Sequence, residues 1–452
     1  MKNILIYITD RYKRSGQRSQ LLIKNIAASF VIKGWSLVVQ LLLVPIALNC
    51  LTVYEYGLWL TLNSILMWTD NLDIGLGNGL RNKLAEAVAK SNSTLGRELI
   101  STTLIAMAGL AIVICVMLAI IIQTQDIYAL LNVSRELVPN LRLVAQLLCI
   151  TVCLTFVAKT IGSIFLALQL PAVNNLMSSI ASTLTLLFIW GYSLFDIRSF
   201  LLVCLTFTVM PLLTYLLFSV YAFRYKYPEL CPTVKCFRRE RVSSLMNVGV
   251  KFFIGQVSGV LLMATANFVI SKAISPAEVT PYQIAYRYFT MLVIVFTLIS
   301  NPIWSSTTDA YTRGDIQWIR SALKKMEYIV AASFVVLAIM YLCSNWFYRM
   351  WVGDKICVED SLSACVAVYT FILLVSMCYS NIIYGIGKMN LTVATVCLMA
   401  FIFIFIAFPI TKEYGIKGLV IVQLAVTLVC ALQNIVQCKL LLAGKARGIF
   451  NK

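Results

Sequence analysis

Apolar segments long enough to cross a lipid bilayer recur from one end of this chain to the other. A membrane-spanning helix needs about 20 predominantly apolar residues, and the 452-residue chain is 60% hydrophobic and only 12% charged. A soluble chain of this length carries far more charge. The runs are continuous rather than alternating, which argues against a membrane β-barrel. We therefore predict an all-α, polytopic membrane protein.

The apolar segments divide into about twelve transmembrane helices of ~20 residues or more. We predict them at Leu21–Cys50, Tyr56–Asp70, Leu99–Ile122, Val138–Leu170, Pro171–Tyr192, Phe200–Phe223, Val242–Lys272, Tyr282–Thr308, Tyr328–Trp351, Ser361–Ile386, Leu391–Ile410 and Gly415–Leu442. On this topology one side of the membrane carries 24 lysines and arginines outside the helices or near their ends, and the other carries 6. The positive-inside rule places both termini in the cytoplasm. The net charge of +18 thus reports topology, and no nucleic-acid partner is predicted.

Weak internal similarity divides the chain into two lobes of six helices, residues 1–225 and 226–452. Lys24 in the first span corresponds to Lys251 in the seventh, and Tyr56, which opens the second span, corresponds to Tyr282, which opens the eighth. Doubled halves of this kind are typical of transporters. We expect the two lobes to surround a central cationic cavity.

Apart from those 30 lysines and arginines, seven further cations lie within the predicted spans. A charge in the middle of a bilayer costs at least ~2.5–3.5 kcal/mol unless it faces protein or a water-filled cavity. The four deepest are Lys33, Lys159, Lys251 and Arg287. The other three lie near helix ends, where long side chains also reach the interface: Lys24, Arg142 and Arg349. We predict that these seven residues bind an anionic substrate.

A polar, glycine-rich stretch follows the second span. At about 100° per residue, one helical face would carry four of its residues, Asp70, Asp73, Gly77 and Arg81. Gly75 and Gly79 form a GxxxG pair that lets a neighbouring helix approach closely. An interfacial helix end with solvated charges is the alternative. The chain contains no histidine, so a proton-coupled step needs a carboxylate or water. We predict a role in gating or ion coupling for Asp70, Asp73, Arg81 and Asp309.

Four segments carry a family resemblance: Tyr56–Trp59, Asp73–Asn82, Asn301–Trp304 and Asp309–Asp315. They resemble the O-antigen (Wzx-type) polysaccharide flippases of the multidrug/oligosaccharidyl-lipid/polysaccharide exporter superfamily. The resemblance implies two lobes around a cleft that opens alternately to each side of the bacterial inner membrane. It implies transport of an undecaprenyl-pyrophosphate-linked oligosaccharide to the periplasmic leaflet for lipopolysaccharide biosynthesis. H⁺ or Na⁺ is the expected coupling ion, and a polysaccharide polymerase and a chain-length regulator are the expected partners.

Two other functions are considered. An ion-coupled multidrug exporter of the same fold would need acidic residues for organic cations, whereas the deep ionisable residues here are basic. A membrane enzyme such as a polymerase or glycosyltransferase usually needs a sizeable loop for catalysis, and the predicted loops here are short. We therefore predict a transporter, with no catalytic residues, no metal and no cofactor.

Overall fold

The computed structural model of the chain describes residues 17–69, 73, 75–168, 170–243, 245 and 265–451. Side chains are described from residue 31 onward within these ranges, except at 67–69, 89, 298, 301, 302, 305, 309 and 355. The described residues form helices joined by turns, and none of them lies in a β-strand. Eight of the described helices are long and apolar enough to cross a membrane. The all-α prediction is confirmed.

The helices follow one another closely along the chain. They are α1 Gln17–Cys50, α2 Val53–Thr69, α3 Leu76–Ala89, α4 Ser93–Thr124, α5 Ile127–Leu131, α6 Leu141–Ala158, α7 Thr160–Ala167, α8 Pro171–Leu194, α9 Phe200–Tyr221, α10 with its described part at 265–273, α11 Pro276–Thr312, α12 Ile316–Val352, α13 Asp360–Ile386 and α14 Asn390–Leu442. A π-helical turn at Ala222–Lys226 and 3₁₀ turns at Pro228–Leu230 and Val234–Cys236 follow α9.

Most predicted spans correspond to these helices. The predicted turn before Pro171 is confirmed, because α8 begins at this proline, whose fixed φ suits the first helical position. The predicted fourth span is divided between α6 and α7 at Lys159. The last two predicted spans lie in α14, which is interrupted at Gly415 with φ 68° and ψ −159°. Glycine adopts such a positive φ without steric cost. Most of the seventh predicted span lies outside the described residues.

The predicted helical face containing Asp73, Gly77 and Arg81 is wrong for Asp73. Helix α3 begins only at Leu76, and Gly75 before it has a left-handed backbone with φ 77°. Gly75 therefore ends a turn and does not belong to a helix-packing ridge. Gly79 does permit close packing, because a Cβ there would lie 2.3 Å from the carbonyl oxygen of Leu245. Asp70 lies outside the described residues.

The described chain forms two compact units. The first comprises Met1–Leu51, Thr69–Gln125 and Asn140–Phe253. In this unit α1 packs against α8, α9 packs against α6 and α8, and α4 packs against α6. The short helix α3 lies against α4 and α7. The core of the first unit contains fully buried leucines from α3 and α6, including Leu80, Leu84, Leu141 and Leu148.

The second unit comprises Thr52–Trp68, Asp126–Pro139 and Ile254–Lys452. Helix α13 packs against α11, α12 and α14. Helix α2 approaches the start of α11 so closely that a Cβ on Gly57 would lie 1.8 Å from the carbonyl oxygen of Pro276. The two units interleave along the chain, and the predicted lobe boundary between residues 225 and 226 stays a prediction.

Candidate substrate site on helix α11

A polar face runs along the first half of α11. Gln283, Tyr286, Arg287 and Thr290 are spaced as i, i+3, i+4 and i+7, which places them on one side of the helix. All four side chains are half-buried. Arg287 lies about 16 Å along the helix axis from Pro276, at 1.5 Å per residue. A polar face inside a predicted span marks a candidate site, and the rest of the second unit shows how it is held.

Asn267 of α10 fixes the first residue of this face. The Gln283 amide donates from Nε2 to Asn267 Oδ1 at 2.7 Å. Asn267 in turn donates from Nδ2 to Ser64 Oγ at 2.6 Å and to the Leu60 carbonyl at 3.4 Å. Asn267 is only 4% exposed and Ser64 5%. The amide of Gln283 is therefore positioned by a buried hydrogen-bond chain that joins α2, α10 and α11.

Tyrosines hold the next turn of α11. Tyr282 is buried, and its hydroxyl lies 3.3 Å from Gln423 Oε1 and 3.2 Å from Gln423 Nε2. The Tyr282 ring stacks on Tyr286, with ring centroids 5.7 Å apart and 30° between the planes. The hydroxyls of Tyr286 and Tyr369 are hydrogen-bonded to each other, and Tyr369 also bonds to Thr427. The half-buried Tyr286 ring is thus supported by α13 and α14.

Arg287 is the charged member of the face. Its guanidinium interacts electrostatically with the buried Tyr56 of α2. No carboxylate of the described residues forms an ion pair with Arg287. Guanidinium groups bind phosphate or carboxylate through two parallel hydrogen bonds. The charge of Arg287 is therefore balanced by no carboxylate of the described residues, and its fork of donors suits an anionic ligand.

The face combines three kinds of recognition chemistry. Arg287 supplies a permanent positive charge, Gln283 supplies an amide with both donor and acceptor groups, and Tyr286 supplies a ring and a hydroxyl. Sugar hydroxyls can hydrogen-bond to the amide and the tyrosine, and a phosphate can bind the cation. The arrangement can bind a ligand that carries both groups.

The other described cations predicted for the site in the first unit lie on different helices or helix ends. Lys33 is exposed on α1, Arg142 is exposed at the start of α6, and Lys159 is exposed between α6 and α7. Lys159 makes a polar interaction of its own. Arg142 and Lys159 are 17 residues apart, which corresponds to about 25 Å along a helix. These two cations do not share one binding point.

The remaining predicted residues have diverse surroundings. Arg349 is exposed in the last turn of α12 and lies 3.8 Å from Asp354. Asp73 accepts hydrogen bonds from the amides of Gly75 at 2.9 Å and Gly77 at 3.0 Å, so it caps the start of α3. Arg81 is exposed on α3. Two predicted residues, Asp70 and Lys251, lie outside the described residues, and the side chains of Lys24 and Asp309 are not described.

Sequence reasoning missed the other polar residues of the α11 face and the residues that hold them. Gln283 and Tyr286 are readable in retrospect from polar spacing in the eighth span, but Asn267 is not. Glu327 of α12 was also missed: the Tyr379 hydroxyl donates to Glu327 Oε1 at 2.7 Å, and the carboxylate is half-buried. Its place beside Lys324 and Lys325 made it read as part of a loop.

Residues 22–307, more than half of the chain, match the family model described as polysaccharide biosynthesis protein. The chain belongs to this family. The chain is also similar to the "Putative O-antigen transporter" of Salmonella typhimurium strain LT2, with 22% identity over 321 residues that cover 69% of each chain. The predicted relationship of the chain to the polysaccharide flippases is confirmed.

Solved structures share the fold of this chain. An inward-facing multidrug resistance MATE family transporter of the MOP superfamily aligns with a TM-score of 0.77 at 16% identity, covering 93% of this chain and 98% of that chain. A MOP superfamily transporter from Pyrococcus furiosus, described as having a binding pocket of reverse polarity, aligns with a TM-score of 0.63 at 15% identity, covering 94% of this chain and 97% of that chain. The chain is thus a multi-pass membrane protein with the MATE-like fold.

Proposed function

We propose that this protein flips undecaprenyl-pyrophosphate-linked oligosaccharide repeat units from the cytoplasmic to the periplasmic leaflet by alternating access. The polar face of α11 carries the proposal, because it offers a cation, an amide and a tyrosine within a predicted membrane span. The family and the O-antigen transporter relative support a polysaccharide precursor as cargo. The site is one for binding and release, and we assign it no catalytic step.

The physical task explains the residues. A pyrophosphate cannot enter hydrocarbon without its hydration, since the cost of desolvating an unpaired charge is prohibitive. Arg287 would replace that hydration with a bidentate contact. We propose that the other predicted cations form the rest of a cationic path between lobes 1–225 and 226–452: Lys33, Lys159, Lys251, Lys24, Arg142 and Arg349. Asp70, Asp73, Arg81 and Asp309 are proposed for gating.

An ion-coupled multidrug exporter is the second candidate, since MATE transporters share the fold. Export of organic cations requires acidic residues at the binding face. The charged residue on the α11 face is an arginine, which repels a cation and attracts a phosphate. The chemistry of this face therefore favours the flippase.

Glu327 is our candidate for coupling to H⁺. Its carboxylate is half-buried and accepts a hydrogen bond from Tyr379 at 2.7 Å. Glutamine at this position keeps the shape and the acceptor but cannot bind and release a proton. Glu327→Gln should abolish the dependence of transport on a pH gradient. If transport by the wild type and by Glu327→Gln follows an imposed sodium gradient instead, the coupling ion is Na⁺.

The cellular setting follows from the same proposal. We place the protein in the bacterial inner membrane with both termini in the cytoplasm. The released lipid-linked repeat units would pass to a polysaccharide polymerase and its chain-length regulator for lipopolysaccharide biosynthesis.

Complementation tests the function. A host that lacks its own flippase and makes the matching repeat unit would express the wild type, Arg287→Ala or Arg287→Lys. We expect the wild type to restore surface polysaccharide and to clear the lipid-linked intermediate. Arg287→Ala should accumulate the intermediate, and Arg287→Lys should retain part of the activity because it keeps the charge but loses the bidentate fork.

A matched arginine provides the control. Arg198 forms an exposed ion pair with Asp196 at 2.9 Å, and such pairs contribute little to stability. Arg198→Ala should behave as wild type at equal membrane expression. Full activity of Arg287→Ala would contradict the assigned role, and altered drug resistance without any change in surface polysaccharide would favour the exporter.

A further inference from the structure

An apolar groove of about 650 Å³ opens on the first unit. Helices α4, α6, α7 and α9 line it with small and branched side chains, among them Ala108, Ala111, Cys115, Ile150, Ile161 and Leu216. Ile112, Ile150, Leu154 and Leu216 at its edges are exposed. All four helices belong to predicted spans, so the groove faces hydrocarbon along its open side.

The groove occupies one half of the membrane thickness. On α4 its lining runs from Leu104 to Cys115, which corresponds to about 16 Å along the helix axis. The hydrocarbon core is about 30 Å thick. After α9 the lining ends at Phe223 in the π-helical turn, and Pro232 of the following loop closes that end. On the predicted topology this loop is cytoplasmic, which places the groove in the cytoplasmic leaflet.

Cations surround the end of the groove. Arg97 donates from Nε to the carbonyl of Cys231 at 2.7 Å, directly before the lining residue Pro232. Arg224 follows the lining residue Phe223 and is exposed. Glu98 is shared by Arg238 at 3.5 Å and Arg241 at 3.6 Å, so one carboxylate balances only part of this charge. An apolar groove that ends in excess positive charge is complementary to a lipid with an anionic head.

We propose that the groove binds the head-proximal part of the polyprenyl tail of the lipid-linked substrate, with its diphosphate at the cationic end. This inference rests on the proposed function and adds a loading site in the leaflet where the substrate is made. The volume divided by the length of about 16 Å gives a mean cross-section of ~40 Å². That shape suits one methyl-branched chain, whereas a phospholipid brings two unbranched chains to one headgroup.

Photolabelling tests the occupant. The purified full chain would be reconstituted into vesicles of phosphatidylethanolamine and phosphatidylglycerol with undecaprenyl diphosphate carrying a diazirine on a head-proximal isoprene. We expect labelled peptides from α4, α6 and α9, and suppression of the label by unlabelled undecaprenyl diphosphate. Equal suppression by the same amount of added phosphatidylglycerol would overturn the inference, because the groove would then hold acyl chains.

A matched pair of variants on α4 localises the label. Ala108→Phe fills the groove, whereas Ala119→Phe adds the same ring at an exposed alanine outside it. We expect loss of the competed label in Ala108→Phe and wild-type labelling in Ala119→Phe. Undiminished labelling of Ala108→Phe in a folded protein would overturn the inference.

Transport of the lipid-linked oligosaccharide, measured in the same vesicles, separates the two claims. Wild-type protein that shows the competed label but moves no lipid-linked oligosaccharide would count against the proposed function while leaving the groove assignment standing. Wild-type transport without label in the groove would count against the groove alone. Reduced transport by Ala108→Phe but not by Ala119→Phe supports both.

Discussion

Replacing Asn267 with alanine removes the side chain that joins α2, α10 and α11 in the second unit. Its amide donates to Ser64 at 2.6 Å and accepts from Gln283 at 2.7 Å. The bond to the Leu60 carbonyl is longer, 3.4 Å, and contributes little. Gln283 belongs to the polar face of α11, so the variant perturbs the candidate site without touching Arg287.

The magnitude follows from two good hydrogen bonds in a buried position. Hydrogen bonds between membrane helices contribute about 0.6 kcal/mol on average and up to ~1.7 kcal/mol. Two such bonds give about 1.2 kcal/mol. The Ser64 hydroxyl still donates to the Leu60 carbonyl at 2.8 Å, so the desolvation penalty falls on the half-buried Gln283 amide and is of the order of 1 kcal/mol. We therefore expect Asn267→Ala to lower the free energy of unfolding by about 1–3 kcal/mol.

A double-mutant cycle isolates the contact. Asn267→Ala, Gln283→Ala and the double variant would be unfolded in mixed micelles with increasing mole fraction of dodecyl sulfate, followed by tryptophan fluorescence. We expect a coupling energy of about 0.5–1.5 kcal/mol, as for residues in one hydrogen-bond network. Asn82→Ala is the control, because Asn82 is exposed on α3 and surface substitutions usually stay within about 0.5 kcal/mol.

Transport gives the second readout. If Asn267 positions Gln283, the variant should raise the substrate concentration needed for half-maximal transport, and expression should remain normal. Additive unfolding energies for Asn267→Ala and Gln283→Ala, together with wild-type transport, would refute the reasoning. The polar chain would then be a packing feature without a role in the site.

Three further outcomes are expected. Asp73→Ala should destabilise the protein by about 1 kcal/mol in the same unfolding assay, since the cap of α3 is lost. Gly79→Ala should cost about 1–3 kcal/mol, because its Cβ would lie 2.3 Å from a backbone carbonyl, whereas Gly109→Ala, where a Cβ meets nothing within 4 Å, should be neutral or stabilising. Hydrogen bonds from Lys417 and then Ser361 lower the pKa of Glu359 in the folded state. The resulting stabilisation is present at neutral pH and is lost as the pH falls through the depressed folded-state pKa. The difference in the free energy of unfolding between about pH 7 and pH 3 should therefore be smaller in Glu359→Gln than in the wild type.

The membrane-spanning helices could be predicted because bilayer thickness imposes a length on apolar runs. The ends of the helices could not. Helix α12 begins at Ile316, twelve residues before the predicted start at Tyr328, since a helix continues beyond the hydrocarbon wherever its residues permit. The helical face of Asp73 failed for another reason: Gly75 takes a left-handed backbone, and Asp73 turns its carboxylate onto the amides that follow.

The candidate site was only partly readable for a related reason. Arg287 stands out in the sequence because an isolated charge in an apolar run is costly. Its surroundings depend on residues far apart in the chain, such as Ser64 and Asn267, which are separated by 203 positions. Periodicity along one helix indicates which side chains share a face, but it does not indicate which other helix satisfies them. The pairing of Gln283 with Asn267 therefore required the structure.

The geometry also separates substrate binding from proton transfer. A guanidinium does not release its proton in a protein, so Arg287 can bind a phosphate but cannot carry H⁺. The neighbour of Arg287, Tyr288, donates its hydroxyl to the Met340 carbonyl of α12 at 3.0 Å. Glu327 precedes Met340 by 13 residues, or about 20 Å along the helix. If the substrate binds at Arg287 and the coupling proton at Glu327, as we propose, the two do not meet directly, and we expect their coupling to pass through a change in the packing of α11 and α12.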